Sequence, residues 1–160
     1  MSRIRIDLPG QWLELFGDDG ACIRRYRVST GSRGAGEEKG SYQTPRGRHL
    51  VRAKIGEGAP LGAVFRGRRP TGEVLTPALA EANPDRDWIL TRILWLSGLE
   101  PGRNRLGSVD TMQRYIYIHG TPDSEPMGEP HSMGCVRMRN RDVAELFDLV
   151  PVGTLVEIEE

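Results

Sequence analysis

The chain has 160 residues, enough for one domain with a hydrophobic core of its own. Its 22 Lys and Arg balance 22 Asp and Glu, so no net field favours nucleic acid or an anionic membrane. Two cysteines, Cys22 and Cys135, do not make a disulfide scaffold, and no run approaches the about 20 apolar residues of a bilayer span.

The first half reads as strands joined by turns. Ile4 and Ile6 alternate with charged neighbours, and Trp12, Leu13, Leu15 and Phe16 form a second strand. Asp18-Asp19-Gly20 turns the chain into a third strand from Cys22 to Val28, and that alternation marks Cys22 as a small buried residue. A loop rich in glycine and charge runs from Ser29 to about Gly40. Thr44-Pro45-Arg46-Gly47 is a turn, and His49 to Ile55 is a strand. The stretch from Gly56 to Gly72 reads as irregular, and Leu75 to Ala82 as a short helix. Trp88 to Leu96 has strand composition, and Gly98 to Val109 reads as a loop.

The clearest strand is Arg114 to His119, with Tyr115, Tyr117 and His119 on one face and Ile116 and Ile118 on the other. One helix stands out after Cys135. Asn140 is placed to cap it, and Val143, Leu146, Phe147 and Val150 follow at i, i+3, i+4 and i+7. Pro151 and Gly153 end it, and Thr154 to Ile158 is a closing strand. Many short strands with one good helix predict a mainly β fold, a single-domain sandwich or open barrel over residues 1–160. The N-terminus lacks the apolar run and small-residue site of a signal peptide, so the chain as written reads as cytoplasmic. A trimmed periplasmic protein would read the same.

The chemistry concentrates in Ile118-His119-Gly120-Thr121 and in Ser132-Met133-Gly134-Cys135-Val136-Arg137-Met138. Nucleophilic cysteine catalysis needs a thiol, a proton acceptor, oxyanion donors and a group that grips the substrate. Cys135 is the candidate nucleophile, shifted toward thiolate by a neighbouring histidine and backbone dipoles. His119, at a strand end, is the candidate base, and the Gly120 carbonyl can fix its tautomer. The N–H groups of Gly134 and Cys135 are candidate oxyanion donors. Arg137 shares a side with Cys135 in an extended segment and can clamp a carboxylate bidentately. Ser132 and Tyr117 join it as candidate substrate contacts. A zinc site from His119, His131 and Cys135 is the competing arrangement, but it needs a remote fourth ligand.

These residues resemble the L,D-transpeptidase catalytic domain of the YkuD type, whose pattern is Ile-His-Gly-Thr followed by Ser-His-Gly-Cys and an apolar residue before Arg or Asn. Val28 to Gly31, Thr44 to Gly47, Trp88 to Gly98 and Asp142 to Ile158 resemble the family framework, so the likeness spans the chain. One position departs, because Met133 stands where the family has histidine; His131 can compensate or be an exposed loop residue. The resemblance implies an acyl-enzyme on Cys135, formed by attack on the third residue of a peptidoglycan stem tetrapeptide with expulsion of D-alanine. Water as acceptor makes the enzyme an L,D-carboxypeptidase of recycled muropeptides. A stem amine makes it a transpeptidase that forms 3–3 crosslinks. A non-catalytic stem-peptide module is the third reading. The implied partners are stem peptides or muropeptides, with carbapenem-type inhibitors, and without cofactor, nucleic acid or membrane.

Overall fold

A computed structural model describes residues 2–160. The first three strands, β1 (Arg3–Asp7), β2 (Trp12–Phe16) and β3 (Cys22–Arg27), form an antiparallel meander. Then come β4 (Gly47–Ile55), β5 (Ala63–Arg66), β6 (Arg69–Val74), the short helix α1 (Pro77–Ala82) and the long β7 (Ile89–Gly98). The last elements are β8 (Tyr117–Thr121), β9 (Val136–Arg139), α2 (Asn140–Leu149) and β10 (Leu155–Glu159). The sheet order is β3-β2-β1-β10-β4-β7-β5-β6, with β8 paired to β7 and β9 to β8. It curls into an open half-barrel, mainly β with one main helix.

The two ends of the chain meet in parallel, Ile4 opposite Val156 and Ile6 opposite Ile158. All four side chains enter the main core, together with Leu13, Leu15, Leu94, Ile118 and Met138. Helix α2 closes that core with Val143, Leu146 and Phe147. Each such side chain contributes about 1.5–3 kcal/mol by leaving water. Asn140 does not cap the helix as its position suggested. Its amide donates to Thr121 O (3.1 Å) and accepts from Thr91 Oγ1 (2.6 Å), so it ties α2 to β7 and β8.

Three local expectations are corrected. The stretch read as irregular holds the β5–β6 hairpin, because pairing of Val64 and Phe65 with Leu90 and Ile89 supplies order that the polar β6 lacks by itself. The strand read from Arg114 begins at Tyr117, since Tyr115 takes a left-handed backbone (φ 57°) that breaks the ladder. Cys22 is exposed, because β3 is an edge strand that buries only Tyr26. Both thiols are free.

His49 on β4 is fully buried. Its Nδ1 donates to Gly47 O (3.0 Å), and its Nε2 lies 2.9 Å from Thr111 Oγ1, whose hydroxyl can donate to the neutral ring. Burial lowers its pKa from 6.5 to about 4. Above pH 6.5 the ring is neutral folded or unfolded and costs nothing. As pH falls from 6.5 toward 4, the unfolded chain gains a proton that the native state refuses, so stability drops. The loss saturates near about 3 kcal/mol below pH 4. Urea melts across that window are expected to show the drop, with a shallower slope in His49→Gln. An unchanged slope would remove His49 as its source.

Candidate active site

The register of β8 and β9 builds the site. These strands run parallel with Ile118 opposite Val136 and His119 opposite Arg137. Alternation sends Ile118, Val136 and Met138 into the α2 core and turns Tyr117, His119, Cys135 and Arg137 to the other face. There they line a cavity of about 440 Å³ with Tyr115, Asp87 and Arg68. Next to the site β7 is irregular: its register shifts between Leu90 and Ile93, and Thr91 sits at φ 73°. Such bulges redirect a strand, and here Ile93 pairs with His119.

His119 is buried, and its Nδ1 donates to Gly120 O at 2.6 Å. The bond fixes one tautomer and leaves Nε2 as the basic nitrogen. Gly120 is needed for space, since a Cβ there would strike Leu90 O at 2.6 Å. Burial lowers the imidazole pKa, and Arg137 adds to that, against the Gly120 bond and Asp87.

Cys135 is half-buried and packs against the cluster of Phe65, Ile93 and Tyr117. Its sulfur accepts from Tyr117 N (3.3 Å) and donates to Tyr115 O (3.4 Å). Among the described residues no hydrogen bond joins it to His119. Burial pushes the thiol up to about 12, opposed by the Tyr117 N–H, Arg137 and Arg114, while Asp87 adds to the rise. The sequence reading toward thiolate is therefore reversed: at neutral pH the resting pair is thiol and neutral imidazole. Iodoacetamide alkylation of Cys135 in the free protein should be slow at pH 7 and keep climbing beyond the ordinary thiol value of 9. A plateau at lower pH would reveal a preformed thiolate.

The loop before the cysteine is held by its own polar groups. Ser132 Oγ donates to Cys135 O (2.6 Å) and accepts from Gly134 N (3.1 Å). Ser132 thus shapes the turn beside the cavity, with its hydroxyl already engaged. Gly134 N–H is engaged too, which leaves the Cys135 N–H as the candidate oxyanion donor without a partner among the described residues. Gly134 itself sits at φ 123°, and a Cβ there would press on Gln43 O at 3.0 Å. Thr44 Oγ1 donates to Gly134 O (2.9 Å) and accepts from Gly31 N (2.8 Å), so both loops brace the turn that carries Cys135.

Arg137 reaches the cavity wall, but its guanidinium is held by Asp87 (3.0 Å) and Glu125 (3.7 Å) and its side chain is 11% exposed. It is not the free clamp its spacing suggested. Asp87, which carried no sequence signal, is the reason. His131 is exposed and paired with Glu129 (3.1 Å), outside the cavity lining. It neither replaces the histidine missing at Met133 nor joins His119 and Cys135 as a zinc ligand. Among the described residues no helix is long and apolar enough to cross a membrane.

The family model for the YkuD L,D-transpeptidase catalytic domain matches residues 1–158. A Bacillus licheniformis protein named as L,D-transpeptidase YkuD is 29% identical over 157 residues, 98% of this chain and 64% of that protein. The Escherichia coli K12 protein named as L,D-transpeptidase YbiS is 39% identical over 90 residues, covering 56% of this chain and 23% of that one. The chain therefore spans less than two-thirds of either relative. Among solved structures, Mycobacterium tuberculosis L,D-transpeptidase 3 with a faropenem-derived adduct shares the fold at TM-score 0.59 and 18% identity, over 99% of this chain and 60% of that one. The Xylanimonas cellulosilytica L,D-transpeptidase does so at 0.55 and 24%, again over 99% and 60%. With nearly its whole length matched, this chain belongs to the YkuD family of L,D-transpeptidase catalytic domains.

Proposed function

We propose that this chain cleaves the L,D bond before the terminal D-alanine of peptidoglycan stem tetrapeptides through a Cys135 thioester, with water as acceptor. The observation that carries the reading is the register that sets Cys135 and His119 on one face of β8 and β9, at one cavity, with the imidazole tautomer fixed. The thiol leaves Tyr115 O and gives its proton to His119 Nε2 as sulfur bonds to the carbonyl carbon. The Cys135 N–H donates to the developing oxyanion. The C–N bond then breaks, His119 returns the proton to the departing amine, and D-alanine leaves. Water attacks the thioester carbonyl as His119 takes its proton. The C–S bond then breaks, His119 returns the proton to the sulfur, and the tripeptide leaves with a new C-terminal carboxyl. Because thiol and imidazole start neutral, the proton moves as the substrate reacts.

Tyr117 and Tyr115 wall the cavity beside the thiol, as substrate contacts in this reading. Arg137 supports the site by holding Asp87, offsetting part of the rise that this carboxylate gives both pKa values. The names of the relatives favour a second reading, in which a stem amine takes the acyl group and forms a 3–3 crosslink. Hydrolysis of soluble fragments belongs to cytoplasmic turnover and crosslinking to the periplasm, so fractionation of the native host bears on the same choice. Purified protein incubated with a disaccharide tetrapeptide and excess second stem is expected to release D-alanine and tripeptide. Dominant crosslinked dimer by mass would replace hydrolysis with transfer, and no release of D-alanine would overturn both. Carbapenems should acylate Cys135, as the reading of the thiol requires; an L,D-transpeptidase structure in complex with imipenem has this fold.

A further inference from the structure

We propose that Arg68 reads a carboxylate of the substrate peptide and so sets specificity at this site. The inference rests on the stem-peptide reading above. Arg68 is the second central residue of the two-residue turn between Arg66 and Arg69, with Gly67 at φ 55° and Arg68 at φ 66°. This is the type I′ geometry of tight hairpins, where glycine or asparagine is the favoured occupant. A long side chain there strains the backbone by roughly 1–2 kcal/mol, which marks the position as one to explain.

The strain places the guanidinium over the thiol's own neighbours. It lies 5.0 Å from the Trp95 ring centre and 4.7 Å from that of Tyr115, and Nη1 donates to Tyr117 Oη at 2.9 Å. The same Tyr115 and Tyr117 hold the Cys135 sulfur through their backbone. The cation and the nucleophile are thus seated on the same two residues. A guanidinium carries five N–H donors, and Tyr117 uses one.

Charge pairing separates Arg68 from the other arginines of the cavity. Arg137 is held by two carboxylates. Arg114 gives both terminal nitrogens to Gly36 O, Glu37 O, Ser41 Oγ and Gln43 O. Arg68 has no carboxylate within 4.0 Å among the described residues. Lys39, on the exposed rim, has none either, but it has no aromatic seat and acts as a mobile point charge. A planar fork held on aromatic rings beside the reacting sulfur suits bidentate capture of a carboxylate. A stem tetrapeptide offers two, the terminal D-alanine carboxylate and the side-chain carboxylate of a diaminopimelate third residue.

Calorimetric titration in the Cys135→Ala background tests this without turnover. Three peptides are compared: the free tetrapeptide, its C-terminal amide, and the form amidated at the third-residue carboxylate. One of the two amides is expected to bind roughly 10- to 100-fold more weakly than the free peptide. Adding Arg68→Gln should impose the same loss on the free peptide and none on that amide. Arg68→Lys should recover part of it, and Lys39→Gln should change binding by less than about threefold. The amide that becomes indifferent to Arg68 names the carboxylate. Equal weakening of all three peptides, or none, overturns the assignment, as does absence of binding by every peptide. Arg68-dependent binding with no turnover by the unmodified protein would instead keep Arg68 and discard the enzymatic reading.

Discussion

Cys135→Ala is expected to reduce D-alanine release from stem tetrapeptide below detection while the protein stays folded. The acyl group of the proposed cycle is carried on the Cys135 sulfur, so without that sulfur no acyl-enzyme forms. The residue is half-buried at the cavity edge of the Phe65, Ile93 and Tyr117 cluster, so losing its sulfur removes contacts on one side only. A melting temperature within a few degrees of the parent and a lost carbapenem mass adduct would accompany the loss of turnover. Cys22→Ala is the control. Its thiol lies exposed on the edge strand β3, beside Arg24 O (3.3 Å) and outside the cavity lining. Rate and adduct should match the parent. Turnover at the parent rate in Cys135→Ala would sink the thioester mechanism.

His119→Gln is expected to lower kcat/KM by about 10²–10⁴, the range for removing a positioned general base. The pH profile separates this from a packing defect. Only neutral imidazole accepts the thiol proton, and burial holds the His119 pKa below 6.5. The acid limb of kcat/KM should therefore lie below pH 6.5, and activity should persist into mildly acidic solution. In His119→Gln that limb should disappear from the residual rate. The same limb surviving in the variant would assign it to another group and remove His119 as the base.

Much of the fold could be read from the chain because its elements carry local periodicity. Ile4 and Ile6, or Val143, Leu146 and Phe147, show the buried face of a strand or helix by spacing alone. The β5–β6 hairpin was hidden because its order comes from long-range pairing with β7. Arg-Pro-Thr-Gly-Glu-Val has no strand pattern until Phe65 and Ile89 are set side by side. Cys22 misled for a related reason. Alternation gives two faces, but only the sheet order shows that β3 is an edge strand with most of both faces in water.

The sequence by itself determined the mainly β class, the family resemblance and the pairing of His119 with Cys135 as candidate base and nucleophile. Those follow from residue identity and short spacings, which folding does not alter. Tertiary structure decided how the site is charged and which groups are free. Burial made the thiol and imidazole neutral. Ser132 engaged the Gly134 N–H. Asp87, 50 residues before Arg137, took that guanidinium. Arg68 came to the cavity from a hairpin the sequence did not announce. Hydrogen bonds, ion pairs and desolvation depend on distances between residues remote in the chain, and those distances exist only once the sheet has closed.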